Sequence, residues 1–373
     1  NRHVPNNLGR MRNLPRSLSI AAAIFLLGAC TGFPGTRFTT LAGDPARAVA
    51  RIALGSCARE TRPQPIWDTV LAAEPDLFLH LGDNIYGDTE DMAVMREKYL
   101  ALWNQPGYAK LRRTVPVIAT WDDHDYGKND AGAEYSMKAQ SKRVFLDFFG
   151  EPKSSERRTR DGGIYTSYVY GPPGKRVQII LLDTRYDRTA LTKVPKPDRP
   201  QRRSQGMGYY VADGDPAARV LGDDQWAWLE RQLRRPAELR IVASSIQVLS
   251  DFTGREGWAN IPQERERLIA LIRRTGATGV VFVSGDVHLA SISKRTKGAP
   301  YPLWELTASA LNQRSRSISP NRNRVAGPYT EPNFGMIEVD WDRADPEVSL
   351  KIQDVAGKPV IERRIRLSTL VSG

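Results

Sequence analysis

Four short polar clusters in the 373-residue chain gather residue types that do chemistry. They are Gly55-Ser56-Cys57, the run Leu81-Gly82-Asp83-Asn84-Ile85-Tyr86-Gly87-Asp88, then Trp121-Asp122-Asp123-His124-Asp125, and Ser284-Gly285-Asp286-Val287-His288. Each follows an apolar run, so each falls at the carboxyl end of an expected strand, where open α/β sheets bind ligands. One such cluster alone is ordinary turn chemistry. Four on one sheet edge would set several carboxylates against one another, and that repulsion either raises their pKa values or is neutralised by cations. Carboxylate, imidazole, phenolate and thiolate together suit transition metals, and the oxygen-rich part also suits calcium or magnesium. Of the histidines beyond the leader, His124 and His288 sit in the clusters. His80 lies inside the apolar run Leu77 to Leu81 and reads as a buried, hydrogen-bonded core residue, with a supporting place behind Asp83 as the alternative. Ser56 has no recognisable base beside it, which argues against a covalent nucleophile.

The elements that must position these clusters follow from periodicity. Arg51 to Gly55, Leu77 to Leu81, Val115 to Trp121, Val177 to Leu182, Leu239 to Ser245 and Val280 to Ser284 read as mostly buried strands. Helical spacing covers Gln64 to Ala73, Asp91 to Trp103, Met137 to Phe149, Asp223 to Arg234 (with an N-cap at Gly222-Asp223) and Pro262 to Arg274. The alternation predicts an α/β sheet core. Antiparallel strands fit the tail better, at Gly335 to Trp341 and Glu347 to Asp354. Polar stretches interrupt the pattern at Glu151 to Gly163, Thr189 to Met207 and Asn312 to Glu331. Between Arg185 and Arg203 seven Lys/Arg stand against Asp187 and Asp198, which reads either as a solvated loop or as a mobile basic lid over an anionic substrate. Aromatics do not interleave with those charges, so no specific nucleic-acid binding is expected.

In this order the motifs GSC, GDNIY, WDDHD and GDVH resemble the PhoD-like (alkaline phosphatase D) branch of the metallophosphoesterase superfamily, from about Ile52 to Leu367. The resemblance implies a four-layer αββα sandwich, two mixed β-sheets flanked by helices, with a polynuclear centre of ferric iron and calcium. The alternative is zinc, manganese or magnesium in a binuclear site. On the matching positions Cys57 would bind iron as thiolate, Asp83 would bridge two ions, and Tyr86 would bind as phenolate. Asp123 stands where many members have asparagine, with Asp122 able to take that duty, and Asp286 and His288 would complete the shell. Gln247 stands where the wider superfamily has a ligating histidine and suggests a harder, calcium-like ion. His124 would act as general acid or transition-state stabiliser, with Asp125 holding its imidazole charged; a histidine capping its own loop is the bland alternative. Asn84 and Arg185 would contact substrate, although an ion pair from Arg185 to Asp187 or another carboxylate fits equally. The stretch from Tyr126 has one residue more than the usual spacing before Asn129-Asp130, which leaves Asn129 unassigned as a calcium ligand.

The activity implied is hydrolysis of phosphate esters by a metal-activated water, which needs no nucleophilic side chain. The partner would be a phosphate-ester small molecule or a phospholipid, and a phospholipase on the same centre is the alternative. A non-catalytic metal-binding surface lipoprotein is a third reading, but it could dispense with His124. The chain is expected to be a monomer.

Composition bounds these readings. With 40% hydrophobic residues, 26% charged and two cysteines, the chain is neither disordered nor a multi-span membrane protein, and it has no disulfide framework. Read from Met11, Arg12 and Arg16 precede an apolar run, Leu18 to Ala29, too short to span a bilayer. The pattern reads as an export signal. Leu27-Gly28-Ala29-Cys30 resembles a lipobox, which would make residues 1–29 a lipoprotein signal peptide and a lipidated Cys30 the membrane anchor. The alternative is a secretory peptide with an incidental cysteine. Residues 30–48 then form a tether and 49–373 one catalytic domain, placed extracytoplasmically in the cell envelope. Removing the leader takes four arginines and no acid from the net charge of +12 and leaves Cys57 as a lone thiol, which metal ligation would use.

Overall fold

The computed structural model of the protein describes residue 33 and residues 46–315 and 317–372. The proposed leader, lipidated Cys30 and most of the tether lie outside the described residues. Short apolar, β-branched runs bounded by Gly, Asp and Pro form most of the inner strands, because such residues pack well on a pleated surface buried on both faces. The strands are β1 (Arg51–Gly55), β2 (Leu77–Leu81), β3 (Val117–Thr120), β4 (Thr166–Tyr170), β5 (Val177–Leu181), β6 (Leu239–Ala243), β7 (Val280–Ser284), β8 (Ala290–Arg295), β9 (Leu303–Ala308), β10 (Arg324–Tyr329), β11 (Asn333–Asp340), β12 (Glu347–Asp354) and β13 (Pro359–Arg366). They form two mixed sheets, ordered β13-β12-β11-β1-β2-β3 and β10-β8-β9-β7-β6-β5-β4.

Alternation on β1 and β2 builds the layers. Ile52, Leu54, Leu77, Leu79 and Leu81 enter an apolar core shared with Ile179, Ile241 and Val281 of the other sheet. Ala53 and Phe78 face the opposite way, onto Trp67, Tyr99, Leu111 and Phe145 from the helices Ile66–Ala72, Met92–Trp103, Pro106–Thr114 and Lys138–Phe148. Helices Asp223–Leu233 and Pro262–Thr275 close over the second sheet through Leu229, Leu268 and Ile272. This is the expected sandwich of two sheets between helices. Among the described residues no helix is long and apolar enough to cross a membrane.

Register brings the polar clusters level. Parallel pairing sets Gly55 beside His80 and Leu81 beside Thr120 in one sheet, and Leu181 beside Ala243 in the other. The sheets meet at these ends, where Thr120 Oγ1 donates to the Leu182 carbonyl at 2.9 Å and Ser245 donates to Asp122.

The polar stretches carry more structure than their composition predicts. Glu151 to Gly163 contains the one-turn helix Glu156–Thr159, Thr189 to Met207 contains the helix Arg199–Ser204, and Asn312 to Glu331 contains β10. The N-cap at Gly222 has no side chain to offer, so the helix after it starts with Asp223 and Asp224 against its positive end.

Candidate metal centre

The loops after β1, β2 and β7 are held in unusual backbone conformations. Cys57, Asp83, Asp286 and His288 have φ of 62°, 49°, 68° and 55°, a left-handed region that costs a residue with Cβ roughly 1–2 kcal/mol. Neighbouring loops enforce it. Ala58 N donates to the Asp83 carbonyl at 3.0 Å, Gly285 N to the Ser245 carbonyl at 2.8 Å, and His288 N to Ser309 Oγ at 2.9 Å. Gly82, at φ +100°, is required, because a Cβ there would lie 2.4 Å from the Asp122 Cβ. Non-glycine residues in such conformations persist where the surroundings over-determine them, and they concentrate at functional sites.

These loops bring the predicted donors together. Cys57 Sγ lies 3.4 Å from Asp83 Oδ2, and the Tyr86 hydroxyl lies 3.4 Å from the same oxygen and 3.0 Å from His288 Nε2. Cys57, Asp83 and His288 each offer a ligand atom within 4.8 Å of the others. The same spacing links Asp83, Asp123 and His124, then Asp122, Asp123 and Asp286, then Asp123, Asp130 and Glu256. Asp130 and Glu256 are the members that the sequence did not single out as donors. Glu256 lies in a Gly-Arg-Glu-Gly turn that carries no recognisable motif.

Electrostatics favour a cation here. Burial pushes the Cys57 thiol up to about 12, and burial plus the neighbouring acids hold Asp83 and Asp286 well above the carboxylate range and Tyr86 above the usual phenol. Asp83 Oδ1 is buried and has no hydrogen-bond partner among the described residues. An acidic ring that is this buried and short of donors fits a positive ion at its centre. Thiolate, phenolate and imidazole suit a transition metal, while the all-oxygen group of Asp123, Asp130 and Glu256 suits a hard cation.

His124 stands beside this ring. Its imidazole lies 4.3 Å from the Tyr86 ring centre, and its Nδ1 is 2.7 Å from Asp88 Oδ1. Burial opposes its charge, but Asp123 and the bond to Asp88 outweigh that and raise it to about 9. His288, buried and facing the His124 charge, is pushed down to about 4 and so is neutral, as a ligating imidazole must be. Asp123, although buried, is held at about 2 by the charges of Arg185 and His124.

The expected partner of His124 was Asp125, and the structure places Asp125 elsewhere. Its carboxylate accepts from Asp122 N, from Asp83 N at 3.2 Å, from Asn84 N at 3.3 Å and from the Asn84 carboxamide. It therefore braces the two loops, because a four-residue helix, Asp123–Tyr126, turns residue 125 back onto its own N-cap. Asn84 is fully buried and gives its amide to the Thr120 carbonyl at 3.0 Å, so it ties strand ends together. Arg185 is also fully buried. Its guanidinium is engaged by Asp122 and Glu256, and Glu256 also pairs with Arg188 at 2.9 Å. The expected alternative of an ion pair describes it, with Asp122 rather than Asp187 as partner. Gln247 is buried and donates to Thr307 Oγ1 at 3.0 Å. His80 is buried among the Trp67, Phe78, Tyr108 and Phe149 rings, and neither ring nitrogen has a hydrogen-bond partner among the described residues.

A cavity of about 580 Å³ opens over the centre, lined by Asp123, His124, Asp286 and His288 on the floor. Asn129 and Asp130 also reach it, and its rim carries Arg203, from the basic run read as a loop or lid, and Arg255, which the sequence did not mark.

Comparison with known proteins places this arrangement. The fold is shared with a structure of PhoD (TM-score 0.61, 16% identity, covering 87% of this chain and 73% of that one) and with a dimetal phosphatase from Danio rerio (0.53, 13%, covering 86% and 100%). It is also shared with GAP50, the anchor in the inner membrane complex of Plasmodium (0.55, 11%, covering 86% and 89%). The chain belongs to the PhoD-like phosphatase family, whose model matches residues 52–341, well over half of the sequence. Alkaline phosphatase D of Bacillus subtilis (strain 168) is 24% identical over 253 residues, 57% of this chain and 41% of that protein. The match thus spans less than half the length of that curated relative.

Proposed function

We propose that this protein hydrolyses phosphate esters with water at a multi-metal centre held by Cys57, Asp83, Tyr86, Asp123, Asp286 and His288. The observation that carries the reading is the convergence of thiol, carboxylate, phenol and imidazole from three separate strand ends, with His288 Nε2 and the Tyr86 hydroxyl 3.0 Å apart. In the family context, ferric iron suits the Cys57, Tyr86 and His288 donors, and calcium suits Asp123, Asp130 and Glu256. When bound, such ions supply an activated water and shield the phosphoryl oxygens.

The chain's own groups do the rest. Asp88 engages Nδ1 of His124 and stabilises the imidazolium, leaving Nε2 to give its proton to the departing alkoxide. The Tyr86 ring beside His124 fixes the plane of the imidazole. Asp125 and Asn84 lock the loops after β2 and β3 to each other and thereby hold Asp83 and Asp123 in register. Arg185 neutralises Asp122 from behind the site. The leader pattern adds location to the proposal: an extracytoplasmic enzyme tethered through lipidated Cys30.

The test is Asp83→Asn in the full-length protein. It should lose iron by elemental analysis, the purple or blue phenolate-to-iron colour, and at least about 100-fold in activity, with the folded circular dichroism spectrum retained. A fully active Asp83→Asn enzyme would end the assignment. Rates on p-nitrophenyl phosphate, its bis ester and a phospholipid separate monoesterase, diesterase and phospholipase C/D-like chemistry, and a colourless, zinc-only protein would replace iron by a zinc site.

A further inference from the structure

The run of cations between Arg185 and Arg203 is mostly committed to the fold. Arg185 and Arg188 are buried against Glu256. Arg199 Nε donates to the Val194 carbonyl at 3.1 Å, Arg202 donates to the Gly208 and Met207 carbonyls at 3.2 and 3.1 Å, and Lys193 lies over the Tyr210 ring. Arg203 differs: it is exposed, has no carboxylate partner among the described residues, and lines the cavity over the candidate metal centre. Arg255 lines the same cavity, also exposed, and its guanidinium is steadied by Ser317 Oγ instead of an acid.

Backbone packing holds these two cations on one rim. Tyr209 N donates to the Gly254 carbonyl at 2.8 Å, and a Cβ on Gly208 would lie 2.0 Å from that same oxygen. A Cβ on Gly254 would lie 1.8 Å from the Met207 carbonyl. The end of the basic segment is thus clipped to the residue that precedes Arg255, at a distance only glycine permits. At about 580 Å³ the cavity lies in the range of pockets that hold drug-sized ligands, far more than one phosphoryl group needs.

Resting on the hydrolase reading above, we propose that Arg203 and Arg255 form a second anion subsite, selecting phosphoesters whose other half carries a further phosphate or carboxylate. A guanidinium without a competing acid is the side chain best suited to grip such a group bidentately. The metal-loaded, full-length protein tests this with non-hydrolysable α,ω-alkane bisphosphonates of increasing chain length, each compared with the alkylphosphonate of equal length. At the best length the bisphosphonate should bind at least about tenfold more tightly by calorimetry, where two equivalent ends alone give about twofold. The double variant Arg203→Ala/Arg255→Ala should bring that ratio back to about twofold, and Arg203→Lys/Arg255→Lys should restore part of it. A ratio near twofold at every length in the unaltered protein, or a ratio preserved in the alanine double variant, overturns the subsite. Failure of the hydrolase reading would look different: the loaded enzyme would cleave no phosphoester while these binding ratios stayed measurable.

Discussion

The two carboxylates that could serve His124 have different uses. Asp125 follows it in sequence but braces the loops, whereas Asp88, separated by 36 positions, sits 2.7 Å from Nδ1. Substituting Asp88→Asn should slow an ester with a poor leaving group by about tenfold and p-nitrophenyl phosphate much less, because only the poor leaving group needs the proton. Steady-state rates on the two esters measure this, and equal losses on both would mean that Asp88 supports the fold. At this scale the sequence revealed which residue types gather, but not the direction of each side chain. For Arg185 the sequence left a grip on phosphate and an ion pair equally open; burial opposite Asp122 and Glu256 decides for the counter-ion. For His80 burial was legible from the apolar run, while the ring-lined pocket without partners depends on Trp67 and Tyr108, which arrive from other elements.

Among the elements, the inner strands were plain to read and several others were not. β1, β2 and β7 match their predicted bounds because continuous apolar runs are what burial on both faces demands. β10 and β13, with sequences Arg-Val-Ala-Gly-Pro-Tyr and Pro-Val-Ile-Glu-Arg-Arg-Ile-Arg, are sheet edges. An edge strand keeps one flank wet and carries charge and proline there, so its pattern imitates a loop. The basic segment was read as a loop or a lid, and the glycine clip shows it to be fastened. Gly254→Ala should loosen it. The added methyl has no room beside the Met207 carbonyl, so cleavage within 189–207 by limited proteolysis should quicken several-fold, at a stability cost of about 1–3 kcal/mol. Unchanged proteolysis would show that the segment is held by other contacts.

For the molecule as a whole, two sheets and their helices enclose a ring of acids that is unfavourable without cations. Burial raises Asp125 to about 7 and holds Asp83 and Asp286 well above the usual carboxylate range. Groups with folded pKa values above the unfolded ones stabilise the fold in their protonated form, and that contribution falls as pH rises from about 4 through 7. Chelator-treated protein should therefore melt at progressively lower temperature between pH 5 and 8, and metal should raise its Tm most at the alkaline end. Differential scanning calorimetry with and without chelator decides it. A flat profile in the metal-free protein would mean that the acids are already compensated. The α/β core was legible from alternation, the clusters at strand ends from the motifs, and the two-sheet sandwich only through the family those motifs resemble. The Asp123, Asp130 and Glu256 group was not, since it joins segments that only tertiary packing brings together.

The left-handed backbone at Cys57, Asp83, Asp286 and His288 bears on how the centre is refilled. The loop hydrogen bonds that hold these conformations run between protein groups, so removing metal should leave the donors in place. Reloading a stripped sample should then proceed by successive bimolecular captures, the first of them first order in added ion and without a lag for rearrangement.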